Sequence, residues 1–347
     1  MRCGLEVSCF ERLGEMPAGA AALFGGDFYS SLSWYGVVCL HALPEGARAA
    51  FFVVSAGGAV VAVAPMMRLA DGRYAALTTP YSALWRVLAA AGVDGEMLRS
   101  AGVALGRVWR AGGTVRLDCL DGGDFATGAV VAGARGTGLL PLRFAHFGNW
   151  VQPAGVGGWA AYLAGRPGHL REAIRRRGRQ AAREGVVFQV VTGGEGLEAG
   201  IAAYEAVYAR SWKDAEPHPG FIPGLMRACA AEGALRLGVL RRAGEVLAAQ
   251  VWVARPGWAS VLKLAHDEAA RALSPGTVLT AMMIERVLRD DAGAELDFGR
   301  GDDLYKRDWT SVRRGREGVV LASPFVAAGV GAIARHFGGV VKKRVRI

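Results

Sequence analysis

Two stretches of this chain repeat one order of features, and that repetition limits the fold more than any single motif. The first begins FFVVSAGGAVVAVAPMM (51–67), which reads as strand, glycine turn, strand. A helix-like stretch over about 84–111 follows, then GGTVRLDCLDGGD (112–124), a strand carrying Asp118. The second begins LRLGVLRRAGEVLAAQVWVA (235–254), again strand, turn, strand, with a further strand in WASVLKLAHD (258–267). A helix then leads to GAELDFGRGDD (293–303), a strand carrying Asp297. Repetition at this length predicts two related α/β domains, not a short-period solenoid. Hairpins followed by helix and strand predict a mixed sheet with helices on both faces. The join is expected in GNWVQPAGVGG (148–158), where Pro and Gly accumulate. The expected division is 1–150, 151–322 and a basic tail, 323–347. Helical spacing marks 169–185, rich in arginine, and 196–214, where Ile201, Tyr204, Tyr208 and Trp212 recur.

Within the second copy, LSPGTVLT (273–280) reads as a helix start aimed at a ligand. Ser274 is a capping residue, Pro275 suits the first helical position, and Gly276 leaves the backbone bare. Thr280, Ile284, Val287 and Leu288 share one face, while Val278, Leu279 and Met282 lie on the otherwise polar side near the start. The start is therefore expected to sit deeper than the end. A buried helix start presents unpaired N–H groups and the positive end of the dipole, and a phosphate satisfies both. A capped core helix is the simpler alternative.

Charge points to the same half. Residues 1–150 balance 12 basic against 11 acidic residues, whereas 151–347 hold 29 against 20. An anionic ligand, whether cofactor, nucleic acid or membrane surface, is expected to meet the second half. The five cysteines (Cys3, Cys9, Cys39, Cys119, Cys229) form no CxxC pair and no metal-ligand spacing, which fits a reduced, cytoplasmic chain without a metal site. No apolar run reaches bilayer length, and MRCGLEVSCFERLGEM lacks the apolar core of a signal peptide. GVGGWA and GVGAIA lack the preceding strand and following acid of a dinucleotide fold, and no GxSxG, Walker A or HExxH sequence occurs.

The order of two strands, a third strand, a ligand-facing helix and a fourth strand resembles the acyl-CoA-binding core of the GNAT N-acetyltransferase superfamily. SWKDAEPH, VLKLAHDEAARALSPGTVL and ELDFGRGDDLYKRDWTS look like its CelD/BcsL-like branch, similar in turn to the FemAB aminoacyltransferases with two GNAT-like domains per chain. The resemblance covers most of residues 28–322, with FYSSLSWYG and PMMRL contributing from the first half, and is strongest over 205–312. It departs at the pyrophosphate loop, where LSPGT replaces a glycine-rich signature. It implies tandem GNAT-like domains, each a mixed, mainly antiparallel sheet flanked by helices. The first, lacking the SPG start, would be a degenerate copy. The activity implied is transfer from acyl-CoA, acetyl-CoA included, to an amine or hydroxyl, with the acceptor on an envelope or exopolysaccharide precursor. Aminoacyl-tRNA as donor, or a non-catalytic scaffold in polysaccharide biosynthesis, are the alternatives.

Such a reaction needs an acyl-donor site, a base and a group that stabilises the carbonyl or the leaving thiolate. The donor is expected along Lys263 and Leu264 of the third strand and at Ser274, Pro275, Gly276, Thr277 and Val278. By resemblance, backbone N–H groups of 258–266 hold the carbonyl, Lys306 assists them, and Tyr305 protonates the thiolate. The alternatives are a surface lysine and a packed aromatic ring. His266 is a candidate base, being the residue type that exchanges protons near neutral pH. Asp267 either joins the chemistry or caps the next turn. Asp297, Asp302 and Asp303 form an acidic group suited to recognising a cationic amine or acting as a base, with ordinary loop residues the alternative for Asp302 and Asp303. Trp212 and Lys213 close the 196–214 helix, Trp212 as core or ligand contact. Lys213 and the arginine-rich 171–183 stretch either hold CoA phosphates, tRNA or an acidic lipid surface, or form a solvated face. The apolar, basic-ended 323–347 segment either docks on the domain or touches an anionic membrane.

Overall fold

The computed structural model of the chain describes residues 4–153, 155, 157–291 and 294–344, with side chains through residue 338. Residues 154 and 156 of the expected join, 293 of the Asp297 segment and 345–347 of the basic tail lie outside the described residues. The strands in chain order are β1 (Leu5–Phe10), β2 (Arg48–Ala56), β3 (Ala59–Arg68), β4 (Tyr74–Ala76), β5 (Leu88–Ala89), β6 (Thr114–Asp121), β7 (Leu140–Gln152), β8 (Val187–Val191), β9 (Leu235–Arg242), β10 (Glu245–Arg255), β11 (Trp258–His266), β12 (Glu295–Arg300) and β13 (Val312–Ala322). The chain divides into two compact units, Met1–Phe147 with Gly315–Ile347, and Gly148–Arg314.

In the first unit β1, β2, β3 and β4 run antiparallel in that order, β4 then pairs parallel with β6, and β13 pairs antiparallel with β6. In the second unit β8, β9, β10 and β11 run antiparallel, β11 pairs parallel with β12, and β7 pairs antiparallel with β12. The expected repeat is therefore present strand for strand, and each sheet is mixed and mainly antiparallel. A parallel pair needs a crossover, and in the second unit the helix Pro275–Asp290 supplies it between β11 and β12.

The strand that completes each sheet corrects the expected division. Residues 316–322, assigned from sequence to the second domain, lie in the first unit against β6, with Glu317 opposite Leu120 and Leu321 opposite Val115. Residues 149–152, read as linker, are strand, with Leu296 opposite Gln152. The segment after 322 is no free tail. Its helix Ala327–Arg344 is pinned at the start, where Gly329 lies so close to Ser323 that an added Cβ would stand 2.0 Å from the Ser323 carbonyl oxygen.

Each unit has its own core. In the first, Phe52, Trp85, Leu105, Trp109, Leu117 and Val319 pack together, and in the second Trp252, Leu279, Met283, Ile284, Leu296 and Phe298 do so. Residues Val246–Ala254 are all buried, as befits a strand covered on both faces, so β10 reads as an unbroken apolar run instead of an alternating one. The one polar side chain in that run, Gln250, is fully buried. The 84–111 stretch is shorter in helix than expected, Gly95–Trp109. The 196–214 stretch is helical only over Leu197–Ala209, so Trp212 and Lys213 lie beyond its end.

Candidate functional site

The helix start singled out in the sequence is open, but its chemistry differs from the expectation. Ser274 occupies left-handed backbone at φ 51° and ψ 51°, and its hydroxyl caps nothing. Pro275 has no N–H to satisfy, and the Val278 N–H bonds to the Ser274 carbonyl. Gly276 and Thr277 therefore carry the unspent N–H groups of the first turn, and no acidic residue stands there. Val278, expected to touch a donor, packs into the core instead. An added Cβ on Gly276 would approach the His266 ring to 3.4 Å, so the first turn lies directly beside the end of β11.

A buried polar chain anchors that turn. The Trp252 indole N–H donates to Gln250 Oε1 at 2.7 Å, the Gln250 amide donates to Thr280 Oγ1, and the Thr280 hydroxyl donates to the Gly276 carbonyl at 2.8 Å. This positioning chain was missed from sequence, where Thr280 read as one of the core-facing residues of its helix and Gln250 as part of a strand.

Beside the helix start β11 opens. It carries one extra residue, Leu262, because Val251 pairs with Lys263 while Trp252 pairs with Val261. Its parallel ladder to β12 spans only Trp258–Ser260 against Glu295–Asp297. Beyond Ser260 the β12 side of β11 has no strand partner among the described residues, which leaves backbone hydrogen-bonding groups of a sheet edge available.

The helix start and this edge line a cleft of about 370 Å³. Leu264 and His266 come from β11, Ser274 to Thr277 from the helix, and Trp212 and Tyr305 form aromatic walls. Trp212 is 52% exposed, its ring tilted against the His266 ring at 4.4 Å, so it is a cleft wall and not a core residue. The His266 Nδ1 lies 3.2 Å from the Asp267 carbonyl oxygen. A carbonyl only accepts, so that contact is a hydrogen bond in the Nδ1-protonated tautomer, which leaves Nε2 as an acceptor. Arg271 also lines the cleft, and its guanidinium has no hydrogen-bonding or ionic partner among the described residues. Sequence reasoning missed it, since one arginine among 41 basic residues carries no local signal.

Several predicted residues are held by the protein itself. Lys306 is buried, and its ammonium donates to the Arg300 carbonyl at 2.6 Å and pairs with Asp303 at 3.0 Å, so it is neither a surface lysine nor a free one. Asp267 caps the turn Glu268–Leu273 through the Ala269 N–H and pairs with Arg210, whose hydrogen bond holds its carboxyl below the usual range. Asp297 accepts from Asn149 and from the Gly299 N–H. Asp302 accepts from the Trp150 indole and from both arms of Arg313, chiefly the latter holding it at about 2. Asp267, Asp297 and Asp302 thus do not converge on the cleft. Lys263 pairs with Glu216 at 2.6 Å. Lys213 lies over the Trp212 ring at 5.5 Å, and burial, then the Lys263 charge, pulls it down to about 8. Enclosure, with the Asp303 charge, raises Tyr305 and keeps its phenol protonated.

The first unit lacks this arrangement. Its corresponding helix, Gly95–Trp109, is capped by Asp94, whose carboxylate accepts from the Met97 N–H at 2.8 Å, and Glu96 adds a second negative charge. The positive end of that helix is thereby neutralised from within.

Residues 168–307 match the family model of an acetyltransferase (GNAT) domain. No curated protein matches the chain significantly. Among solved structures, FemX superposes with a TM-score of 0.57 at 12% identity, covering 90% of this chain and 96% of that one. L-PGS from Bacillus licheniformis gives 0.52 at 13%, covering 87% and 90%. A tandem GNAT protein from the clavulanic acid biosynthesis pathway gives 0.50 at 15%, covering 92% and 99%. At these identities the likeness is one of fold: the chain carries a GNAT-like α/β fold, and its residues 168–307 match the acetyltransferase (GNAT) domain.

Proposed function

We propose that the second unit transfers an acyl group from acyl-CoA to an amine or hydroxyl acceptor. The observation that carries this is the uncapped start of the helix Pro275–Asp290, opening with Arg271 into a cleft beside the unpaired edge of β11. The Gly276 and Thr277 N–H groups and Arg271 would hold the pyrophosphate. The edge of β11 beyond Ser260 would hydrogen-bond the extended amide arm of the donor as a further strand does, and orient its carbonyl. His266 Nε2 would take the proton that the attacking amine loses. Tyr305, kept protonated, would give one to the departing thiolate. Lys306 and Asp303 would then shape the 300–306 loop instead of touching the carbonyl.

The acceptor we assign is an envelope or exopolysaccharide precursor, as the CelD/BcsL-like words of the sequence imply. The exposed faces of Trp212 and Tyr305 suit a ring-shaped ligand. A second donor has its own support. On the helix Gly168–Arg183, Arg171, Arg176, Arg179 and Arg183 are exposed and form no salt bridge among the described residues, and Arg177 ties that helix to the Ala272 carbonyl at 2.7 Å. That basic face would suit aminoacyl-tRNA.

Calorimetric titration with acetyl-CoA and longer acyl-CoAs tests the donor. Binding by the native chain, lost in Gly276→Asp, supports the anion site at the helix start. Absence of binding to any acyl-CoA removes that donor and leaves aminoacyl-tRNA or a non-catalytic scaffold role.

A further inference from the structure

The helix Ala327–Arg344 meets the rest of its unit at its first turn, where Gly329 is buried. After that turn one face stays apolar and uncovered. Val330 and Phe337 are 50% and 58% exposed, and Ala334 lies between them at the spacing that places all three on one side of a helix. Just before the helix, Phe325 is 86% exposed and rests only its edge on Gly138. An exposed phenylalanine is ordinary; two phenylalanines and a valine left uncovered on one short segment are not.

The charge pattern says what covers them. From Gly318 to Ile347 there is no Asp or Glu, while Arg335, Lys342, Lys343, Arg344 and Arg346 supply five positive charges. An apolar protein partner would be served by the stripe alone, with no reason for thirty acid-free residues beside it. A bilayer with anionic headgroups takes both features: rings enter the acyl boundary and basic side chains meet the phosphates. No helix among the described residues is long and apolar enough to cross a membrane, so the segment would lie in the interface plane.

We propose that the segment Phe325–Arg344 docks the protein on an anionic lipid surface, with Phe325, Val330 and Phe337 as its inserted side chains. The inference is independent of the acyl-transfer reading.

The test is co-sedimentation of the full chain with phosphatidylcholine vesicles, with and without phosphatidylglycerol. Preferential binding to the anionic vesicles is expected. Phe337→Asp should reduce it at least tenfold. Lys342→Glu with Lys343→Glu should reduce it at least thirtyfold, at about 1 kcal/mol per basic side chain removed. Phe337 is exposed, and unchanged acyl-CoA calorimetry or circular dichroism confirms the fold of both variants. Three results overturn the proposal. One is equal binding to neutral and anionic vesicles. Another is vesicle binding that survives Phe337→Asp but falls with Arg171→Glu and Arg179→Glu on the other unit. The third is a concentration-dependent dimer that Phe337→Asp dissolves while vesicle binding is absent, which makes the stripe a self-association face.

Discussion

Ser274 shows what a residue's identity reveals and what it conceals. Its position before Pro-Gly marks a helix start, and that start is where it was expected. Its role was not legible, because whether a serine caps depends on backbone angles that the side chain does not announce. At φ 51° it sits in a region that residues with a Cβ seldom adopt, and its hydroxyl leaves the first turn open. Ser274→Gly should therefore raise stability by about 0.5–1 kcal/mol in urea unfolding, with acyl-CoA binding retained. Ser274→Val should lower it by about 1–3 kcal/mol, since a β-branched side chain is strained there.

Lys213 gives the other residue-scale prediction. It is pulled down to about 8 from an ordinary 10.5, chiefly by burial. Between those values the unfolded chain holds a proton that the native chain has released. Stability therefore climbs as pH rises from about 8 to about 10.5, and the full penalty is present below 8. Lys213→Met should stabilise the protein at neutral pH by on the order of 2 kcal/mol and flatten that climb. A variant no more stable than the parent at neutral pH, measured by urea unfolding, sinks this assignment of the lysine as a buried burden.

Elements were legible where their signals were local. The arginine helix, the strand–turn–strand hairpins and the crossover helix all stand close to their expected places. Two helices were misjudged for identifiable reasons. The 196–214 spacing continues past the true end because Trp212 falls in phase by accident. There the chain is turned by the Ser211 hydroxyl, which donates to the Tyr208 carbonyl, and by the Arg210–Asp267 pair, a contact across 57 residues. The glycine-rich background, 50 residues in all, hid the positions where glycine is required. The helices Gly95–Trp109 and Phe125–Arg135 cross so closely that a Cβ on Gly102 would stand 2.1 Å from the Val130 carbonyl oxygen. One on Gly133 would stand 1.9 Å from that of Arg99. Both obstacles are backbone and cannot swing aside. Gly102→Ala should gain helix propensity yet lose about 2–4 kcal/mol net through forced separation of the helices. Gly128→Ala, with open space at its Cβ, serves as the control and should be stabilising or neutral by thermal melting.

At the scale of the whole molecule the repeat was legible and the closing strands were not. A hydrophobic run announces a strand, but not its neighbour, because pairing is decided by contacts between residues far apart in sequence, as Leu296 with Gln152 and Arg316 with Asp121. Exchanging the last strand of each sheet also redistributes charge. The unit Gly148–Arg314 holds 23 basic against 19 acidic residues, and the remainder of the chain holds 18 against 12. The excess once assigned to the ligand-binding half is thus divided, and much of it belongs to the helix Ala327–Arg344. Within the second unit ten of the twenty arginines have a carboxylate partner, while Arg271 at the cleft and Arg171, Arg176, Arg179 and Arg183 on the helix Gly168–Arg183 form no salt bridge among the described residues. The two donors then differ in how salt affects them. A donor held by one arginine and two backbone N–H groups engages few phosphates, so its affinity should fall by less than about tenfold between roughly 50 and 200 mM salt. A polyanion spread along the arginine helix would lose about 10³–10⁵ over the same range. Arg176→Glu with Arg179→Glu should likewise leave acyl-CoA affinity within about twofold, since exposed charges act weakly across a Debye length of about 8–10 Å. A steep salt response for acyl-CoA, or its loss in that double variant, would move the donor site from the helix start at Gly276 to the arginine face.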